Sequence, residues 1–202
     1  MKQFKIEPLS KEHILRRYSI LRESVEEVTS DLFNRYRTEV RCAKGCSECC
    51  DDISVLPIEW YVLREWFQEK HATLNRIMRL RYHGENRCPF LHKADESCSI
   101  YPIRPIVCRV HGLPIRYTVE EYDITGQRVF HLPAEYTFAW CDYNFIDYDA
   151  KEGYGILPSD GYIDMEVWNH SLRKLNDEFL EAIPEKELPE NIGWFPLSSL
   201  VE

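Results

Sequence analysis

The chain reads Cys42-Ala43-Lys44-Gly45-Cys46-Ser47-Glu48-Cys49-Cys50 near its start, so four thiols follow the pattern CxxxCxxCC within nine residues. Four more cysteines come later, at Cys88, Cys98, Cys108 and Cys141. A single buried cysteine can serve as a small apolar side chain, and that interpretation stays open for Cys141. It does not account for four cysteines placed among lysine, serine and glutamate. The pattern therefore indicates thiolate chemistry, and metal binding in particular.

The length of 202 residues suits one hydrophobic core, so we expect a single domain over residues 1–202 with a metal-binding core at residues 42–112. Hydrophobic residues make up 44% and charged residues 29% of the chain, as in ordinary globular proteins. No apolar run approaches the roughly 20 residues of a membrane-spanning helix, so we expect a soluble protein that does not bind membranes. The N-terminus has no apolar signal segment, which predicts a cytoplasmic location. In that reducing compartment, clustered cysteines bind metal more often than they form disulfides.

The net charge of −9 is unfavourable for binding nucleic acid, because such binding depends on clustered Lys and Arg side chains. We therefore expect no nucleic-acid partner, which leaves a protein or a small molecule as the class of partner. The sequence also contains no Walker A loop, nucleophile elbow, HExxH motif or dinucleotide fingerprint. A hydrolase or a nucleotide-binding enzyme is accordingly poorly supported.

Apolar residues at helical spacing predict an α+β protein that is mainly α. A long helix is expected over residues 10–40, with Ser10 as its N-cap. Pro57 suits the first position of a second helix. The side chains expected to be buried on that helix are Val62, Leu63, Trp66 and Phe67. A third helical segment around residues 74–80 would complete a helical hairpin, and a C-terminal helix is expected over residues 164–183.

The cysteine-rich stretch 88–113 contains three prolines and should be mostly loop, with a short helical turn near Cys108. Alternating residues predict a small β-hairpin over residues 114–133 that turns at Thr125-Gly126. The residues expected to pin the C-terminal tail are Trp194 and Phe195. Because loops of this kind have no core of their own, a bound metal is their natural organiser.

Eight cysteines supply two complete ligand sets, because a structural zinc site and an iron–sulfur cluster each take about four thiolates. The adjacent pair Cys49-Cys50 adds a geometric constraint. Successive side chains on an extended or turning backbone point in different directions, so both sulfurs seldom reach one metal. We therefore expect Cys49 and Cys50 to face different centres, unless one of them is a structural thiol beside the ligands.

Ordered blocks of sequence connect the cysteines. They are Cys42-x-x-x-Cys46-x-x-Cys49-Cys50, Cys88-Pro89-Phe90-Leu91, Cys98-Ser99-Ile100-Tyr101, Arg104-Pro105 and Cys108-Arg109. Together these blocks resemble the YkgJ-type cysteine-cluster family, also described as CxxCxxCC zinc- or iron-chelating proteins. The resemblance covers about residues 42–112 and implies metal binding by the seven cysteines within it. Cys141 lies outside the blocks, and we include it as the eighth candidate ligand.

Two kinds of side chain could assist these ligands. Arg104 and Arg109 could donate hydrogen bonds to metal-bound sulfur, or they could cap loop carbonyls and pair with acids. The histidines that could replace a cysteine as ligand are His83, His92, His111 and His131. His111 is the best placed of them, three residues after Cys108, and we expect it to lie on the surface or beside the ligands.

The leading hypothesis is a metal-binding protein whose cysteines hold an iron–sulfur cluster or zinc, in one or two centres, with a redox or protein-modifying role. A similar branch of the family comprises flagellin lysine N-methylases, which act with an iron–sulfur cluster and S-adenosylmethionine. The resemblance therefore implies a methylase-like enzyme as one alternative. A zinc-organised structural or interaction module without catalysis is the other. The identity of the metal separates these functions, because zinc has no redox chemistry.

Overall fold

The structure is a computed structural model, and it describes residues 9–70, 87–118, 121–122, 128–129, 136–146, 161–184, 187 and 193–201. Within these ranges the chain forms four α-helices and seven short strands. The fold is thus α+β and mainly α, as the sequence predicts. None of the described helices combines the length and the apolar composition needed to cross a membrane.

Helix α1 spans Lys11–Arg35 and begins where the sequence predicts, because the Ser10 side chain accepts a hydrogen bond from the His13 amide. It ends five residues before the predicted residue 40, and a turn at Tyr36 follows. The side chains that it buries are Ile14, Tyr18, Val25, Thr29 and Leu32. Their spacing of three to four residues gives the helix one apolar face.

Helix α2 spans Pro57–Glu69 and has proline in its first turn, as predicted. Leu63 and Phe67 are buried on it, whereas Val62 and Trp66 are only half-buried. The predicted helical segment at residues 74–80 lies outside the described residues.

The short helix α3 spans Ile106–Val110 and carries Cys108, and it follows a 3-10 turn at Tyr101–Ile103. This agrees with the prediction of a loop-rich segment with one helical turn. Helix α4 spans Met165–Ala182, where the C-terminal helix is predicted, and the Asp164 side chain caps it by accepting from the Glu166 amide.

The seven strands form three small sheets. They are β1 (Ser54–Val55), β2 (Ile115–Thr118), β3 (Glu121–Tyr122), β4 (Arg128–Val129), β5 (Tyr136–Ala139), β6 (Ile163–Asp164) and β7 (Phe195–Pro196). Strand β2 is central in a three-stranded sheet, antiparallel to β5 and parallel to β6. Strand β1 pairs with β7, and β3 pairs with β4.

The predicted hairpin over residues 114–133 is correct only in part. Strands β3 and β4 pair antiparallel within that range, but β2 pairs with β5, which begins at Tyr136 beyond the predicted end. The pairing of β2 with β6 joins segments almost 50 residues apart, so alternation within one stretch of sequence cannot reveal it. The predicted turn at Thr125-Gly126 lies outside the described residues.

Two hydrophobic clusters make up the core, and α2 contributes to both. The first joins α1 and α4 through residues such as Ile14, Val25, Leu172 and Phe179. The second lies under the cysteine-rich loops and contains Val55, Trp60, Leu63, Phe67, Cys88, Phe90, Leu91, Ile100, Phe195, Leu197 and Val201. The site described below lies between these two clusters, because its cysteines pack against both.

The C-terminal tail is pinned to the second cluster, but not by both of the predicted residues. Phe195 is buried and tilts against the Trp60 ring, with centroids 5.5 Å apart. Trp194 is 60% exposed, so its predicted role is wrong. Leu197 and Val201 are the buried residues that act with Phe195. Phe195 pairs with Val55 of β1 and points into the core. Successive side chains on an extended backbone point to opposite sides, so Trp194 points outward.

Candidate metal centre

Seven of the eight cysteines line a single cavity of about 880 Å³. They are Cys42, Cys46, Cys49, Cys50, Cys88, Cys98 and Cys108. Cys141 lies beside this cavity, next to Cys42, and all eight cysteines are free thiols. The fold therefore gathers thiols from segments that are up to about a hundred residues apart in sequence.

The CxxxCxxCC segment folds as two successive turns, in which the Cys46 amide donates to the Ala43 carbonyl and the Cys50 amide to the Ser47 carbonyl. Gly45 makes the first turn possible, because its φ of +90° lies in the left-handed region that favours glycine. A Cβ atom at this position would also lie only 3.0 Å from the Asp95 carbonyl oxygen. Glycine thus allows the loop to approach the segment that carries Cys98.

A buried serine ties the same loop to the next cysteine segment. Ser47 is 2% exposed, its hydroxyl accepts a 2.6 Å hydrogen bond from Arg87, and it donates to the Glu96 carboxylate. The backbones are joined as well, since the Cys88 amide donates to the Cys50 carbonyl at 3.2 Å. These contacts hold the two cysteine-bearing loops in register with each other.

Four thiols form a first group, consisting of Cys42, Cys46, Cys49 and Cys141. Burial raises the pKa of Cys42, and the neighbouring thiols of the other three cysteines raise it further. Burial likewise raises the pKa of Cys141, with Cys49 and Cys46 adding to the rise. Cys46 is exposed, and the other three are half-buried. These mutual effects mean that the four thiols lie near one another.

Gly112 and Asn144 pack against the Cys42 sulfur of the first group. The φ of Gly112 is +88°, and a Cβ atom there would lie 3.0 Å from the Cys42 sulfur. The Asn144 side chain, 2% exposed, donates from Nδ2 to the Cys42 sulfur at 3.3 Å and to the Gly112 carbonyl. The Cys141 amide also donates to the Gly112 carbonyl, at 3.3 Å. The loop after β5 is thereby docked onto the CxxxCxxCC segment.

Three thiols, Cys88, Cys98 and Cys108, form a second group, in which Cys88 is buried and the other two are half-buried. Burial raises the pKa of Cys88 to about 12, and it raises the pKa of Cys108 well above its ordinary value. The thiols of Cys88 and Cys98 add to the effect on Cys108. Burial also raises the pKa of Cys98. Removing a thiolate from water is unfavourable, so this group strongly favours either protons or a metal as partner.

The fold positions each member of the second group by backbone contacts. A bridge between Leu91 and Cys98 closes a tight turn that brings Cys98 back towards Cys88. Cys108 lies on α3, where the buried Glu59 carboxylate accepts from the Ile106 amide at 2.9 Å. A carboxylate at a helix N-terminus satisfies an amide that has no partner within the helix.

The adjacent pair Cys49-Cys50 lies at the junction of the two groups. A hydrogen bond between these two thiols is the main cause that raises the pKa of Cys49 to about 12. Cys50 packs against the second hydrophobic cluster, which contains Cys88, whereas Cys49 neighbours Cys42 and Cys141. The two side chains therefore have different surroundings even though the thiols touch.

The arginines mainly satisfy loop carbonyls and an acid. Arg109 donates to the carbonyls of Arg104 and Pro102 and pairs with Glu26. Arg104 donates to the Cys108 carbonyl at 3.3 Å and stacks over the Tyr101 ring at 3.8 Å. Arg104 also lies close enough to the second group to lower the pKa values of Cys98 and Cys108, against the larger effect of burial.

His111 is the histidine that the fold brings to the thiols. Its Nδ1 atom lies 3.1 Å from the Cys49 carbonyl, and its hydrogen bond with the Cys49 thiol raises its pKa. His92 instead pairs with Asp95 on an exposed turn, at 3.1 Å. His83 and His131 lie outside the described residues.

The donor set suits a thiophilic metal, because the cavity collects thiols in numbers that zinc and iron–sulfur centres require. Within the described residues, no three Cys, His, Asp or Glu side chains converge tightly enough to hold a single metal ion as they stand. The thiols surround the cavity instead of meeting at one point. Fold and site together define a class: a small α+β protein built around a cysteine-lined cavity.

Comparison with known proteins finds one matching family model. Residues 41–126 match the model of the CxxCxxCC family, whose description is "Putative zinc- or iron-chelating domain". The match supports metal binding by the chain, and it confirms the resemblance seen in the sequence. The family name has two residues between its first cysteines, whereas this chain has three between Cys42 and Cys46. No curated protein and no solved structure matches the chain.

Three residues of the site were not found by sequence reasoning. Ser47 lies inside the cysteine motif, so its position could have suggested a structural hydroxyl. Asn144 and Glu59 are separated by about fifty residues or more from the groups that they hold, and only the fold brings them there. Cys141 lies beyond the end of the matched domain, and the fold places it beside Cys42.

Proposed function

We propose that the protein holds two metal centres, each bound by four cysteines. The first consists of Cys42, Cys46, Cys49 and Cys141, and the second of Cys50, Cys88, Cys98 and Cys108. The observation that carries this proposal is the gathering of seven cysteines around one cavity, with the eighth beside it. Thiols rarely assemble in such numbers in a fold without disulfides unless a metal replaces their protons.

The partition follows the surroundings of the thiols. Cys42, Cys46, Cys49 and Cys141 influence one another electrostatically, and so do Cys88, Cys98 and Cys108. Cys50 completes the second set because it packs against the cluster that contains Cys88, and because its carbonyl accepts from the Cys88 amide. On binding, the Cys49 and Cys50 thiols would turn away from each other and exchange their mutual hydrogen bond for metal.

Iron–sulfur clusters fit the cavity better than single zinc ions do. A zinc site needs four sulfurs about 2.3 Å from one point, but the described side chains do not converge on a point of that kind. A cluster of several iron and sulfide atoms reaches ligands that are farther apart. The half-exposed first centre, with Cys46 at the surface, is the better placed of the two for electron exchange with a partner. We therefore assign the protein a cluster-dependent redox role.

A zinc-organised structural module is the second candidate, and the burial of Cys88 favours it. Cys88 is 7% exposed and forms part of a hydrophobic cluster. The segment from Arg87 to Pro105 has only a 3-10 turn and isolated bridges as regular structure. A closed four-thiolate zinc site is a common way to hold such loops together.

The deciding experiment is anaerobic purification followed by analysis of iron, zinc and acid-labile sulfide and by an absorption spectrum. Iron–sulfur binding predicts iron and sulfide in similar amounts, with broad visible absorption that dithionite bleaches. A colourless protein with two zinc ions per chain would reject the redox role in favour of the structural module. A protein without bound metal would reject both candidates. The matched control is a variant with serine at all four positions of the first centre, which should retain half of the metal.

A further inference from the structure

We infer that Asn144 is a positioning residue for the first centre, acting through an N–H···S hydrogen bond to the Cys42 sulfur. This inference rests on the proposed function, because it assigns a role within that centre. The Nδ2 atom of Asn144 lies 3.3 Å from the Cys42 sulfur, a normal length for a hydrogen bond to sulfur. The side chain is 2% exposed, so water does not compete for the bond.

The orientation of the Asn144 amide is fixed by its other two partners. Its Oδ1 atom accepts from the Arg41 backbone amide at 2.7 Å, and Nδ2 also donates to the Gly112 carbonyl. A backbone amide can only donate, and a backbone carbonyl can only accept. Exchanging the oxygen and nitrogen of the side chain would break both bonds. The NH₂ group must therefore face the sulfur.

Asn144 also connects all the segments that supply the first centre. The Arg41 amide precedes Cys42, and Gly112 belongs to the turn that packs against the Cys42 sulfur. The Asn144 backbone amide donates to the Cys141 carbonyl at 2.8 Å. Asn144 thus links Cys42, through its side chain, to Cys141, through its backbone, and these are the two proposed ligands of the first centre that are farthest apart in sequence.

An amide donor matters to a metal-bound thiolate because a centre with four thiolates is net anionic. The N–H group stabilises that negative charge and limits the rotation of the side chain that carries the sulfur. Loss of such a supporting bond typically weakens metal binding by about tenfold to hundredfold. Because the described contacts of Asn144 with cysteine involve Cys42 and Cys141, the effect should be confined to the first centre.

The test replaces Asn144 by aspartate, which has the same shape and still accepts from Arg41 but has lost the donor. Asn176→Asp is the matched control, since Asn176 is 5% exposed and accepts from the Ile58 amide at 3.2 Å, away from the cavity. Metal loss to excess chelator is followed over time in the full-length, metal-loaded protein. We expect the half of the metal held by the first centre to leave about tenfold or more faster in Asn144→Asp. The other half should leave at the wild-type rate.

A second readout separates an effect on sulfur from a loss of stability. If the first centre holds iron, the carboxylate of Asn144→Asp beside Cys42 should lower the reduction potential of that centre. The potential of the second centre should not change, and neither potential should change in Asn176→Asp. Asn144→Ser, which is neutral and smaller, should show the same selective metal loss to a lesser degree. Asn144→Ser replaces Asn144→Asp in the test if the buried carboxylate of Asn144→Asp prevents folding.

If Asn144→Asp loses metal equally faster from both centres, or no faster from either, the inference is overturned and the proposed function stays intact. Failure of both Asn144 variants to fold, with Asn176→Asp folded, would also overturn it, because Asn144 would then serve the fold alone. Absence of metal from the wild-type protein would instead reject the proposed function, and this inference with it.

Discussion

The two groups of cysteines differ in what surrounds them. The first group lies at half-exposed positions and receives polar contacts, from Asn144 to Cys42 and from His111 to Cys49. In the second group, Cys88 is buried among aromatic and aliphatic side chains, and the half-buried Cys98 packs against the same cluster. Burial raises the pKa values of Cys88 and Cys108 strongly, so without metal these thiols are protonated at neutral pH. On the partition proposed above, this difference gives the second centre the structural role and gives the first centre the contact with a partner.

Removing all metal should have the largest effect, and it should affect the two regions of the molecule unequally. Under the proposed function residues 87–105 depend on the centres, because they contain only a 3-10 turn and isolated bridges, whereas the first hydrophobic cluster joins α1 and α4. We expect amide hydrogen exchange to accelerate by several orders of magnitude in residues 87–105 and only slightly in the two helices. Exchange with mass-spectrometric detection, before and after chelation, measures this. Uniform acceleration along the chain would contradict the comparison.

Serine substitutions in the two groups should have different effects on stability. Cys88→Ser buries a hydroxyl in an apolar cluster and removes a ligand of the second centre, so we expect it to lower the free energy of unfolding by about 3 kcal/mol or more. Cys46→Ser changes an exposed position and should cost less than about 1 kcal/mol beyond the loss of its metal. Urea denaturation of the two variants, each with its metal content determined, checks the order. Equal losses of stability in Cys88→Ser and Cys46→Ser would contradict the proposal that the two centres have different roles.

Ser47→Ala should loosen the contact between the cysteine-bearing loops. The substitution removes the hydroxyl that links Arg87 to Glu96, whose charged atoms are themselves 3.9 Å apart. We expect a loss of about 1 to 2 kcal/mol in the metal-loaded protein, as for a buried hydrogen bond to charged groups. Thermal unfolding measures it, and metal loss to chelator should become faster at both centres. Ser171→Ala, on α4 away from the cavity, is the control, since the Ser171 hydroxyl donates to the Val167 carbonyl of the same helix.

Glu59→Gln should have the smallest effect, and that effect should depend on pH. Burial raises the pKa of the Glu59 carboxyl, so the folded protein binds this proton more readily than the unfolded chain does. Protonation of Glu59 therefore stabilises the folded protein fully below the ordinary pKa of 4.5. This stabilisation is lost as the pH rises through the raised pKa of the folded state. Glutamine retains the oxygen that accepts from Ile106 and carries no charge.

We expect Glu59→Gln to be more stable than the wild-type protein by up to about 1 kcal/mol at pH 8, with the difference shrinking as the pH falls. Denaturation of both proteins between pH 6 and pH 8 gives the trend. A difference that grows on acidification would mean that the Glu59 carboxylate is stabilised in the fold as an anion.

The sequence was most informative where local chemistry sets the structure. Helical spacing identified α1, α2 and α4, and Ser10 and Pro57 marked the beginnings of two helices. The ligand segment was recognisable because its cysteines are close together in sequence. The partner of β2 and the burial of Leu197 depend on contacts between distant segments, which no local pattern encodes. Asn144 was missed for the same reason, since an isolated asparagine has no pattern at all.

The central claim is that Cys49 and Cys50 serve different centres, and metal stoichiometry in three variants tests it most directly. Cys49→Ser, Cys50→Ser and the double variant are purified anaerobically beside the wild-type protein, and bound metal per chain is determined. We predict that each single variant loses half of the metal, that the two retain different halves by spectrum or by rate of loss to chelator, and that the double variant loses all of it. Two single variants that lose the same half, with a double variant no poorer in metal than either, would contradict the account.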